Sequence, residues 1–139
     1  MKRFFYVGIT LSAIVFGSLA ATAQVQKGKT RLLLTKQLMG GLVQPNCKAI
    51  GDGLKEEPAD DKAWAALATK AALLNEASYI LMADGRCPDG DWAGATTKLR
   101  EGSEAVYKKI EAKDHEGAQA AFKAMTESCA ACHQAHKKK

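Results

Sequence analysis

Aromatic residues are scarce in this sequence: two Trp, three Tyr and four Phe among 139 residues, with only three Pro. No run alternates β-branched and polar residues, so a sheet-based fold has no support in the pattern, whereas alanine is abundant and suits helices. After residue 23 no segment is apolar enough to span a bilayer. There is no Ser/His/Asp set, no paired-carboxylate site and no glycine-rich phosphate loop, so hydrolytic and phosphoryl-transfer chemistry lack their usual residues. The chain carries 20 basic and 15 acidic side chains. That surplus is partly N-terminal (Lys2, Arg3) and partly the terminal Lys137, Lys138 and Lys139, and with so few aromatics it does not argue for nucleic acid.

The one long apolar run lies at the start. Lys2 and Arg3 precede Val7 to Leu19, and Ala21-Thr22-Ala23 supplies a small-residue cleavage site. The run is shorter than the ~20 residues a transmembrane helix needs, so the expectation is a Sec-type signal peptide, residues 1–23, cut after Ala23. The exported chain, 24–139, then has single-domain length and no membrane span, and belongs in the bacterial periplasm.

Four segments carry helical periodicity, joined by short polar breaks, which predicts an all-α fold: an antiparallel four-helix bundle. The first, about Thr30 to Lys55, repeats Leu32, Met39, Val43, Ile50 and Leu54 along one face. Pro45 should kink or break it just before Asn46, and Gly40-Gly41 soften the same stretch, as if backbone there packs close to something bulky. The second, from Asp60 or Asp61 to Met82, places Trp64, Leu67, Ala71, Leu74, Ser78 and Leu81 on a strict inward stripe. The third starts near Asp91 and buries Trp92, Ala95, Leu99, Val106 and Ile110, with Gly102 suited to close helix approach. The fourth opens at Asp114, with the stripe Ala118, Phe122, Met125, Cys129 and Cys132. His115 and His136 read as surface groups.

That last stripe runs into Cys129-Ala130-Ala131-Cys132-His133. Three chemistries use such a pair. A structural zinc site needs four ligands, and the motif with His136 supplies too few in a workable arrangement. A redox C-x-x-C opens a helix after a strand, whereas this one closes a helix. The third is c-type haem attachment: two thiols bond the porphyrin's vinyl groups and the adjacent imidazole becomes the proximal iron ligand. Export fits the third, and it is the expectation. The other two cysteines, Cys47 and Cys87, are expected to form a disulfide in an oxidising compartment, reached through the kink at Pro45; the plainer alternative is two separate buried thiols.

A C-x-x-C-H motif near the C-terminus, ending the last of four amphipathic helices and followed by Lys137, resembles the class II cytochromes c, the group of cytochrome c′ and its low-spin relatives. The likeness covers about Thr30 to Lys139. It implies one covalent haem c, thioethers at Cys129 and Cys132, proximal ligation by His133, Lys137 near the haem edge, and Arg31 against a propionate. In the low-spin relatives a methionine of the first helix is the distal ligand, and Met39 is the only methionine there. This sequence departs from the family in its spacing: Arg31 precedes Met39 by about two turns rather than one, with Thr35 at the one-turn position. Met125 falls on the proximal side, and Met82 reads as interface packing. The resemblance implies a soluble periplasmic one-electron carrier, not an enzyme, docking on redox proteins; the alternative is a five-coordinate protein that binds nitric oxide or carbon monoxide. It also allows a homodimer through the first two helices.

Overall fold

The computed structural model describes residues 28–137; the expected signal peptide and its cleavage point lie outside them. The described residues form an all-helical unit in which four helical segments pack on one another. None of these helices is long and apolar enough to cross a membrane.

The first segment comprises α1 (Thr35–Leu38), a π-helical turn (Met39–Val43) and α2 (Gln44–Gly53), without a break between them. It starts later than its periodicity suggests, because residues 28–31 are held in a strap instead. Asp84, itself in a left-handed conformation at φ 63°, accepts from the Thr30 backbone N–H and hydroxyl and from the Arg31 N–H, while its carbonyl accepts from Lys29. Leu32, outside the helix, is 84 % exposed rather than part of the inward face. Pro45 does not break the helix. It stands in the first turn of α2, where an N–H is dispensable, and the irregularity moves upstream: Gln44 N–H bonds the Met39 carbonyl across a wider turn. Asn46 Nδ2 donates to the Leu42 carbonyl at 2.7 Å. Gly40 and Gly41 face open space in that turn, so no protein group explains them by close packing.

The other three helices begin alike. Asp60, Asp89 and Asp114 each accept from the backbone N–H three residues on (Ala63, Trp92, Gly117), capping α3 (Asp61–Met82), α4 (Gly90–Glu111) and α5 (His115–His136). The α3 stripe from Trp64 to Leu81 is buried throughout. α4 lies between α3 and α5 and packs extensively on both, coming closest to α5 at Gly102: a Cβ there would sit 2.9 Å from the Met125 side chain. The first segment is held more lightly, meeting α5 where Gly51 abuts the Phe122 ring. The Leu54 carbonyl, left over at the end of α2, receives His115 Nε2 at 3.0 Å and Gln119 Nε2 at 2.6 Å. His115 is therefore half-buried and engaged, not the free surface group expected.

The strap gives a pH prediction. Its backbone bonds to Arg31 and Thr30 hold the Asp84 carboxyl below the ordinary carboxylate range. A depressed folded-state value means the contribution is present above the unfolded pKa and is lost as pH falls through the folded one. Protection of the Thr30 and Arg31 amides from exchange, taken relative to the intrinsic rate at each pH, should be high near neutrality and fall on acidification below about pH 4; in Asp84→Ala it should be low at every pH.

Candidate functional site

The last two turns of α5 carry Cys129, Cys132 and His133, and all three line a cavity of about 50 Å³. The opposing walls are Met39 and Val43 from the first segment, Leu81 from α3, and Trp92, Ala95, Thr96 and Leu99 from α4; Ser128 completes the α5 side. The lining is overwhelmingly apolar. Two residues more than ninety positions apart in the chain, Met39 and His133, thus share one cleft.

The state of the motif's side chains follows from burial. Both cysteines are half-buried against the core, which pushes each thiol above its ordinary value; the Cys129 charge and then Asp89 add to this at Cys132. Cys129 Sγ points at the Met125 carbonyl, 3.8 Å away. Redox C-x-x-C centres depend on a lowered thiol pKa, and these thiols move the other way. Partial burial first, and the Lys137 charge second, lower the His133 imidazole below its usual value, which favours the neutral ring with a free nitrogen lone pair.

Trp92 organises the α4 wall and was identified from sequence only as a core residue. It is 2 % exposed, donates from Nε1 to the Leu81 carbonyl at 2.9 Å, and meets the His136 ring edge-on, centroids 5.4 Å apart. His136 is not a surface group: its Nε2 lies 3.5 Å from Asp89 Oδ1 and its side chain is 11 % exposed. The signal was available, since His136 lies one turn after Cys132 on the same face.

The remaining expected residues distribute unevenly. Lys137 follows α5 directly and acts on His133. Arg31 sits in the strap, exposed, with its backbone rather than its side chain engaged, and it is not part of the cavity lining. Sequence reasoning missed Arg86, a buried guanidinium (1 % exposed) near Asp84, whose Nε and Nη1 find no acceptor. Met125 is buried against Gly102, and Met82 is partly exposed. Cys47 and Cys87, expected to pair, are both free thiols in the structure, as are Cys129 and Cys132. Cys47 is carried on the intact helix toward α5, where Cys129 influences it, while Cys87 stays in the loop before α4 with its Sγ toward the Asp89 carbonyl.

Among the described residues no three Cys, His, Asp or Glu side chains converge as a cage for a single ion. For a tetrapyrrole the donor set is different: one neutral imidazole, one thioether opposite, two thiols beside the imidazole and apolar walls. The residues fit that group in kind. At about 50 Å³ the cleft is closed down, so admitting a planar macrocycle requires the walls to part. The most lightly packed wall is the first segment, whose π turn and exposed glycines make it the one that can give.

Neither a protein-family model, nor a curated protein, nor a solved structure matches this chain.

Proposed function

We propose that this protein is a monohaem c-type cytochrome, an antiparallel four-helix bundle of the class II kind, acting in the periplasm as a soluble one-electron carrier. One observation carries the reading: the C-x-x-C-H residues and Met39 line the same apolar cavity from opposite helices. The contacts at both ends support the antiparallel arrangement. The strap before α1 meets the loop after α3 through Asp84, and the end of α2 meets the start of α5 at Leu54.

In this reading Cys129 and Cys132 would hold the group by thioether bonds, and His133 and Met39 would supply nitrogen and sulfur to its iron. Bound haem supplies an iron that cycles between two oxidation states. The chain's own work is to hold and insulate it. His133 offers a neutral nitrogen from a helix fixed by Trp92 and His136; Met39 offers a soft, polarizable sulfur from the π turn; Leu81, Trp92 and Leu99 exclude water. Lys137 leaves positive charge near the motif, suited to an acidic patch on a redox partner.

The test is spectroscopic. Wild-type protein matured with haem-attachment machinery should be low-spin in both oxidation states and unresponsive to carbon monoxide, and Met39→Ala should turn high-spin and bind carbon monoxide. A variant that stays low-spin removes Met39 as the ligand. A wild-type protein that is high-spin and takes up carbon monoxide replaces the carrier with the five-coordinate binder of nitric oxide or carbon monoxide.

A further inference from the structure

A third thiol belongs to this face of the molecule. Cys47 lies on α2 one turn before Gly51, and Cys129 lies on α5 two turns after Phe122, so each shares a face with its helix's point of contact. Gly51 and the Phe122 ring are in direct contact, a would-be Cβ falling 3.1 Å from the ring. The end of α2 meets the start of α5, so stepping back along α2 and forward along α5 moves in the same direction. At 1.5 Å per residue, Cys47 lies about 6 Å and Cys129 about 10 Å beyond that crossing. Side chains lean toward the N-terminus of their own helix, so these two lean toward each other along the helix axes. Both are half-buried on the same core, and the Cys129 charge is, after burial, what raises the Cys47 thiol.

The other pairings fare worse. Cys129 and Cys132 sit three apart on one helix, with Cβ atoms about 5–6 Å apart, against roughly 3.5–4.5 Å in a disulfide. Bonding them would unwind the last turn that Trp92 and His136 hold. Cys87 faces the Asp89 carbonyl in its loop.

We propose that Cys47 is the disulfide partner of Cys129 in the haem-free chain, forming a redox latch across α2 and α5. A disulfide oxidant makes it: one thiolate attacks the oxidant and forms a mixed disulfide, and the second thiolate displaces the carrier thiol. The two cysteines lose two protons and two electrons, and the oxidant is released as two thiols. A dithiol reductant reverses the exchange. While latched, Cys129 has no thiol to give, and α2 is bound to α5 beside the cleft whose first-segment wall must part. The linkage stands without haem; its consequence as a latch on attachment rests on the haem reading above.

The full-length exported chain, produced without haem-attachment machinery, is equilibrated with oxidised glutathione, its remaining thiols are alkylated, and its peptides are mapped by mass. The expected product joins Cys47 to Cys129 with Cys87 and Cys132 alkylated, and Cys47→Ser should lose it. A Cys129–Cys132 or Cys47–Cys132 link, or Cys47 recovered alkylated or as a glutathione adduct, overturns the assignment. In a second arm, oxidised wild-type chain offered haem and attachment machinery should acquire no covalent haem until dithiothreitol is added, while Cys47→Ser accepts it before and after oxidation. Equal attachment to the latched and reduced chains overturns the latch. Absence of covalent haem from every chain, reduced wild type included, instead overturns the haem reading and leaves the mapped linkage standing.

Discussion

Replacing Cys129 and Cys132 together with alanine should abolish covalent haem while leaving the helices in place. Both side chains stand on the cavity wall, half-buried, and burial keeps them as thiols rather than as activated thiolates. Nothing else in that wall can form a thioether, since Cys87 is in the loop before α4 and Cys47 is on a different helix from His133. Alanine is the best helix former, so α5 should persist and circular dichroism should change little. The denatured wild-type protein should retain the mass of the chain plus one haem, and the double variant that of the chain alone. Each single variant should keep one thioether. A double variant that still carries covalent haem would place attachment at Cys47 or Cys87 and remove the central assignment.

Trp92→Ala should be the most destabilising single substitution of the cleft, costing about 3–5 kcal/mol, the usual range for emptying a buried aromatic site. The loss has three parts. The indole is almost fully buried, its N–H satisfies the Leu81 carbonyl near the end of α3, and it meets the His136 ring in a T-shaped contact that ties down the last turn of α5. A domain of this size has only about 5–15 kcal/mol of stability, so thermal unfolding of the haem-free chain should drop by about 15 °C or more. Trp92→Phe separates the parts: it keeps a ring for His136 and loses the hydrogen bond, a change of about 1 kcal/mol. If Trp92→Ala melts within a few degrees of wild type, the indole is not what joins α3, α4 and α5 at this end. The effect should extend to the site, because His133 lies one turn before His136.

Much of the fold was legible because it is written locally. The step from Trp64 to Leu81 puts every third or fourth residue on one face, and the structure buries all six. Asp60 and Asp114 precede their helices as side-chain caps, and Gly102 falls where α4 closes on Met125. The first segment was the least legible, since two local tendencies compete there. Pro45 removes an N–H and predicts a break, yet a π turn over Met39–Val43 absorbs the defect and places the proline where no N–H is needed. The start of that helix was set from elsewhere: Asp84, more than fifty residues on, captures Thr30 and Arg31 and leaves Leu32 outside. His136 and His115 looked like surface groups for the same reason, their partners Trp92 and Leu54 being remote in sequence.

The sequence by itself determined the helical class, the inward face of α3 and the ligand types that Cys129, Cys132 and His133 offer, because periodicity, capping and residue chemistry are properties of residues within a few positions of one another. Only the tertiary structure decided what stands opposite the motif. It brought Met39 and Trp92 to the same cavity as His133 and left Arg31 in the strap. Those outcomes depend on how whole helices dock. Docking is set by the closest contacts between them, such as Gly51 on Phe122 and Gly102 on Met125, and the 3.6-residue pattern of one helix carries no record of its partner's register.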